Sequence, residues 1–355
     1  MLFHSQYGAG KAGSCHGAKS GDLPGVVQSL SEAQATSNWL YGKENEMKSK
    51  NRRRWGILAA LTACVMLFCV SGTGCGSQSP GGGSAGGDSQ AASGDRAILV
   101  VSFGTSYNES RDLTIGAIEE AIAEAFPEYD VRRAFTSQII IDKLKERDGL
   151  EIDNVEEALD RAAEDGIRTL VVQPTHLMNG YEYTDLAEEL QSRQDQFDQV
   201  VLGEPLLTSD GDFEAVADII ASETASYDDG STGIVFMGHG TEADSNAVYA
   251  RLQDTLDAAG RENCYIGTVE AEPDLDDVRE ALSQKHYQRV ILKPLMVVSG
   301  DRANNDMAGD EEDSWKSILT KDGYQVECLL EGLGQSGAIR QIYVQHVQDA
   351  IDTLE

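Results

Sequence analysis

Ile98-Leu99-Val100-Val101-Ser102-Phe103-Gly104-Thr105 is written a second time, 136 residues on, as Ile234-Val235-Phe236-Met237-Gly238-His239-Gly240-Thr241. Each copy is a short apolar run that ends in a small-residue turn. A run apolar at every position and rich in β-branched side chains reads as a strand buried on both faces. Two further matches follow in the same order. Val155-Glu-Glu-Ala-Leu159 pairs with Val278-Arg-Glu-Ala-Leu282 at an offset of 123, and Leu170-Val-Val-Gln-Pro174 pairs with Val290-Ile-Leu-Lys-Pro294 at an offset of 120. The last pair runs on to Gly180 and Gly300 respectively. Offsets that shrink by what loops can absorb describe one unit written twice.

Around these anchors, strand-like runs at Tyr129 to Ala134, Gln199 to Leu202 and Cys264 to Val269 alternate with helical stretches. The helical stretches include Leu113 to Phe126, Val155 to Glu164, Phe213 to Thr224, Ala247 to Ala259 and Leu275 to Lys285. Alternation of this kind implies parallel sheets with helices on both faces. The fold class is α/β, with two similar Rossmann-like halves at 96–227 and 228–355 and a cleft between them. Ligands of such folds bind outside the carboxyl ends of the strands.

The chain ahead of the repeat is of another kind. Met47 to Arg54 is basic, Trp55 to Val70 is an apolar run short for a membrane span, and Ser71-Gly-Thr-Gly leads to Cys75. A basic start, a short apolar core and small residues before a cut describe an export signal. With a cysteine at the cut and a Gly/Ser tether behind it, the segment 47–75 resembles a bacterial lipoprotein signal, and 76–95 is the tether. Gly72 departs from that pattern, which usually has Leu three residues before the cysteine. An uncleaved N-terminal membrane anchor is the alternative. These features imply an extracytoplasmic protein held to the cell membrane through lipid on Cys75. Residues 1–46 show no periodicity, and a start at Met47 is expected.

Charge is distributed as unevenly as structure. Residues 1–75 contain 8 Lys/Arg and 4 Asp/Glu, leaving 20 Lys/Arg against 56 Asp/Glu beyond them. A surface so acidic repels phosphate backbones and excludes nucleic acid as a partner. A homo-oligomer is compatible with the sequence. Beyond residue 75 only Cys264 and Cys328 remain, and their pairing is left open. No Cys/His zinc spacing occurs, so any metal chemistry must use histidines and carboxylates.

Differences between the two copies point to the chemistry. His239 stands where the first copy has Phe103, lifted out at a strand end between two glycines that let something approach closely. Glu182 in Asn179-Gly-Tyr-Glu-Tyr183 aligns with Arg302 in Ser299-Gly-Asp-Arg-Ala303. Facing halves would bring 182, 239 and 302 into one cleft. His176 reads either as a substitute ligand or as a buried structural histidine. Thr105, Ser106 and Thr241 suit either substrate carboxylates or the capping of the helices that follow. His286 and His346 read as surface helix positions. The acidic run from Asp306 to Asp313 lacks calcium-loop spacing and reads as an acidic helix N-terminus.

Several of these segments also carry a family resemblance. Ser102-Phe-Gly-Thr-Ser106, Arg132-Arg-Ala-Phe-Thr-Ser137, Gln173-Pro-Thr-His176 with Glu182-Tyr183, Met237-Gly-His-Gly-Thr-Glu242, Gly267-Thr-Val-Glu270 and Asn305-Asp-Met-Ala-Gly-Asp310 with Asp313-Ser-Trp315 resemble the anaerobic-type sirohydrochlorin cobaltochelatases of the class II chelatase group. The likeness runs from about 97 to 352. It implies insertion of Co²⁺ into sirohydrochlorin by two cleft histidines and a glutamate, with no permanent organic cofactor. His239 and Glu182 match two of these as catalytic and metal-binding residues. Fe²⁺ and Ni²⁺ remain possible metals. The second histidine falls at Arg302, and arginine neither ligates a cation nor acts as a base. Three roles stay open for Arg302: a clamp on tetrapyrrole carboxylates, the mark of a non-catalytic tetrapyrrole- or metal-binding lipoprotein, or an ion pair with Glu182. A fold relic with another partner is the third functional reading.

Overall fold

The computed structural model describes residues 94–354. The expected signal, Cys75, the segment 1–46 and the tether up to residue 93 lie outside them. Among the described residues, no helix is long and apolar enough to cross a membrane.

The first half contains β1 (Arg96–Ser102), α1 (Asn108–Arg111), a π-helical turn (Asp112–Gly116), α2 (Ala117–Ala125), β2 (Asp130–Phe135), α3 (Gln138–Asp148), α4 (Val155–Glu164), β3 (Thr169–Pro174), α5 (Tyr181–Arg193), β4 (Gln199–Leu202) and α6 (Asp210–Thr224). The second contains β5 (Thr232–Gly238), α7 (Ala247–Ala258), β6 (Cys264–Thr268), α8 (Leu275–Ser283), β7 (Arg289–Pro294), a second π-helical turn (Ala303–Met307), α9 (Trp315–Lys321), β8 (Gln325–Cys328) and α10 (Gly337–Asp352).

Each half builds a four-stranded sheet, ordered β2-β1-β3-β4 and β6-β5-β7-β8, and every pairing is parallel. The registers coincide as well. Val101 faces Pro174 in the first sheet and Met237 faces Pro294 in the second. The two-half α/β fold expected from the repeat is therefore the one observed.

The strands β1 and β5 are apolar along most of their length because both faces are covered. Ile98 and Val100 join a core shared with Ile234 and Phe236 of the other sheet. Ala97, Leu99 and Val101 point the opposite way, onto Ala158, Leu159 and Ala162 of α4. Val235 and Met237 do the same against Val278 and Leu282 of α8. Each buried Ile, Leu, Val, Phe or Met among them contributes about 1.5–3 kcal/mol through removal from water.

The division at 227/228 separates the chain but not the packing. α10, from the second half, lies against α2 and β3 of the first, and the Tyr343 hydroxyl donates to the Thr175 carbonyl at 2.9 Å. α6, from the first half, packs on α7 of the second, with the Arg251 guanidinium 3.9 Å from the centre of the Phe213 ring. The exchange ties the halves together through the shared core.

Some expectations change in detail. The helix expected from Leu113 begins at Asn108 and widens to a π turn at Asp112–Gly116, where the Thr114 hydroxyl donates to the Ser110 carbonyl. The α4/α8 match is out of step: the equivalent N-caps are Asn154 and Asp274, both in capping boxes, which sets the offset at 120 rather than 123. A slip of three residues keeps nearly the same helix face, so the sequence match looked sound. β8 was not anticipated, because Gln325-Val-Glu-Cys328 is a half-buried edge strand with no continuous apolar run. Cys264 and Cys328 are both free. They sit on opposite edge strands with β5 and β7 between them, roughly 14 Å at the usual strand spacing, beyond disulfide reach.

Candidate functional site

His239 is the first residue past β5, and the two glycines beside it serve the fold. Gly240 has φ +84°, and an added Cβ would lie 2.7 Å from Thr268 Oγ1 and 2.8 Å from the Ala271 nitrogen. A Cβ on Gly238 would enter the Tyr249 ring. What approaches closely is thus the protein's own α7 and the loop after β6. With the backbone held this tightly, the His239 side chain projects outward, half exposed. Phe103 occupies the same point of the first half and is also exposed, at 46%.

The loop after β6 brings a residue to which the sequence reading gave no role. Glu270 Oε2 lies 3.2 Å from His239 Nε2. Its backbone N–H donates to the His239 carbonyl at 3.0 Å, so main chain and side chain both hold it there. Only the Gly267-Thr-Val-Glu270 likeness touched this residue. Nothing in its spacing says that β6 lies beside β5.

Arg302 enters from the loop after β7. Its guanidinium bonds Glu270 and, at 3.0 Å, Asp306 one helical turn on. The ion pair considered between Arg302 and Glu182 is not formed. Glu182 lies instead in the first turn of α5, on the other half, with its carboxylate 3.5 Å from His176 Nε2. The Glu182 side chain is 46% exposed, yet desolvation by the protein around it pushes its pKa up to about 7; His239 opposes the rise and Asp185 adds to it.

The halves meet through equivalent loops. Ser110 Oγ accepts from the Ser299 N–H at 3.0 Å, and Gly180 lies against Ser245. His176 is buried beside Glu182, and burial pulls its pKa down to about 4, so its ring is neutral. Its 3.5 Å contact with Glu182 is not aligned as a hydrogen bond, since neither ring nitrogen has a hydrogen-bond partner.

Other candidates fall outside this cluster. Thr105 and Ser106 are buried, and Thr105 Oγ1 accepts from the Tyr107 N–H at 3.2 Å. Thr241 Oγ1 accepts from the Ala243 N–H at 3.2 Å. Neither threonine caps the helix that follows: the N-caps are Tyr107 and Ala243, without a side-chain cap bond, and the two hydroxyls close short turns ahead of them. His346 is not a surface residue. It is buried, with Nε2 3.1 Å from Asp212 and Nδ1 3.2 Å from the Glu204 carbonyl, because α10 crosses onto the first half. His286 is exposed but lies in the loop after α8. In the acidic run, Asp306 serves Arg302 and Asp310 bonds Lys316 at 2.7 Å, just ahead of α9. A surface pocket of about 460 Å³ between β4 and α10 is lined by Asp212 and His346 and contains none of His239, Glu182, Glu270 or Arg302.

His239 and Glu270 set an imidazole and a carboxylate 3.2 Å apart, with the Arg302 guanidinium bonded to that carboxylate. Nitrogen and oxygen donors of this kind suit divalent first-row metals. Among the described residues, no three His, Cys, Asp or Glu side chains already converge as a metal site.

Comparison with known proteins agrees with this layout. Residues 96–352 match the family model for cobalt chelatase (CbiK). The chain is 38% identical over 257 residues to a sirohydrochlorin cobaltochelatase of Salmonella typhimurium, covering 72% of this chain and 97% of that one. It is 31% identical over 262 residues to the sirohydrochlorin cobaltochelatase CbiKC of Nitratidesulfovibrio vulgaris, covering 73% and 92%. Among solved structures, SirB from Bacillus subtilis with Fe³⁺ shares the fold at a TM-score of 0.53 and 12% identity, over 73% of this chain and 96% of that one. By the match over 96–352 and the 38% identity, the chain belongs to the cobalt chelatase (CbiK) family.

Proposed function

We propose that this protein is a sirohydrochlorin cobaltochelatase, inserting Co²⁺ into sirohydrochlorin with release of two pyrrole protons. The observation that carries the reading is the half-exposed His239 imidazole at the end of β5, with the Glu270 carboxylate 3.2 Å from its Nε2, in a chain of this family. A neutral imidazole ligates the arriving ion or accepts a proton near neutrality. Glu182, with its pKa pushed up to about 7, is poised to take a pyrrole proton and return it to water. Glu270, held against His239, adds a carboxylate that steadies the cation as it sheds water. Arg302 matches the bidentate geometry of the tetrapyrrole's peripheral carboxylates.

The test is an anaerobic visible-absorbance assay of the full-length protein with sirohydrochlorin and Co²⁺. Metallation above the uncatalysed rate, lost in His239→Ala, is the expected result. A spectral shift without metallation in the native protein, with metallation restored by Arg302→His, would replace the enzyme by a binding protein. That second reading draws on Arg302, which carries no donor for a cation. Parallel assays with Fe²⁺ and Ni²⁺ decide the metal.

The export reading belongs to this proposal too. The basic, apolar and small-residue order before Cys75 supports a lipid-anchored, extracytoplasmic enzyme. Release from the membrane fraction in Cys75→Ser is the expected outcome, and retention there would count against the anchor.

A further inference from the structure

The loops after β5, β6 and β7 set an imidazole, a carboxylate and a guanidinium in one line. Glu270 is the middle member, with one oxygen 3.2 Å from His239 Nε2 and the other bonded to Arg302. Arg302 is itself held from behind by Asp306 at 3.0 Å. The side chains of Glu270 and Arg302 are 38% and 36% exposed, so ligands reach both. A pair this open holds its partner weakly, and a change of partner costs little.

We propose that Arg302 is a latch that couples metal binding to tetrapyrrole binding. It holds the Glu270 carboxylate until a carboxylate of the tetrapyrrole takes the guanidinium. The inference rests on His239 being the metal-facing imidazole, as read above. While Arg302 bonds Glu270, that carboxylate's charge is spent and a positive charge stands beside the path of the cation. When a substrate carboxylate replaces Glu270 on Arg302, one carboxylate–guanidinium bond is exchanged for another of the same kind. Glu270 is then released to act with His239, and the substrate neutralises Arg302. Binding is therefore ordered, tetrapyrrole before metal. The coupling is reciprocal, so bound metal tightens the hold on the tetrapyrrole by the same factor. Such a latch keeps free divalent cations from occupying an empty site.

The test measures Co²⁺ affinity of the full-length protein by calorimetric titration at neutral pH. With Co²⁺ alone, Arg302→Gln is expected to bind about tenfold more tightly than the native protein, the scale of one nearby charge at intermediate dielectric. Glu270→Gln added to that variant removes the gain. Arg302→Lys keeps the charge and stays as weak as the native protein. Cobalt sirohydrochlorin supplies carboxylates while its ring is already filled. In its presence the native protein is expected to tighten by a similar factor, and Arg302→Gln is not. Unchanged affinity in Arg302→Gln, tightening in Arg302→Lys, persistence of the gain in the double variant, or no response to cobalt sirohydrochlorin would each overturn the latch. The far-ultraviolet spectrum of each variant must match the native one. The two proposals fail separately: no metallation with the coupling intact removes the enzyme activity alone, and metallation without the coupling removes the latch alone.

Discussion

The two halves share sheet order, strand register and an exchanged helix, yet they divide the chemistry unequally. The first half presents Phe103 at the end of β1 and one carboxylate, Glu182. The second presents His239 at the end of β5, with Glu270 and Arg302 on the next two loops. The framework residues that make the halves alike are buried, where packing decides identity. The residues that differ sit past the strand ends, where the fold tolerates change. The same contrast appears inside the sheets. Gln173 of β3 is buried and bonds the Pro174 and Glu204 carbonyls. Its counterpart Lys293 of β7 is also buried, paired with Glu223 at 3.1 Å and Glu331 at 3.3 Å. Glu223 lies on α6, so the charged version fastens the exchanged helix to the second sheet.

The largest effect should separate His239 from Phe103. His239→Ala is expected to lower the metallation rate by about 10²–10⁴, the range for one general acid–base group. Phe103→Ala should change it roughly twofold at most, as for an exposed side chain. Comparable losses in anaerobic assays of both variants would show that the halves contribute alike.

The buried lysine gives a stability test of the same comparison. Glu223→Gln with Glu331→Gln leaves Lys293 buried without a counter-charge, at a cost of about 3 kcal/mol. Lys293→Gln copies the first half and should cost about 1 kcal/mol. Urea midpoints measure both, and equal costs would mean the ion pairs contribute nothing to holding α6.

The smallest effect concerns pH. Enclosure raises the Glu182 pKa to about 7, so the proton-accepting form is present above that value and lost as pH falls through it. Metallation should decline by about tenfold per pH unit below pH 7. In Glu182→Gln the rate is lower and this limb is flattened. An unchanged acid limb in that variant would assign it to another group.

The sequence by itself determined the doubled α/β plan, the central strands and the place of His239 at a strand end. These follow from local patterns: continuous apolar runs mark strands covered on both faces, and a repeat compares a position with its own counterpart. Export and lipidation also rest on sequence alone and remain proposals. Only the tertiary structure decided that Glu270 lies against His239, 31 residues away in sequence, because that contact depends on β6 pairing with β5. It also decided that Arg302 bonds Glu270 rather than Glu182, and that α10 crosses over to bury His346. Partner choice among charged side chains and the route of a helix across a domain are set by which loops the finished fold makes neighbours. No periodicity along the chain encodes them.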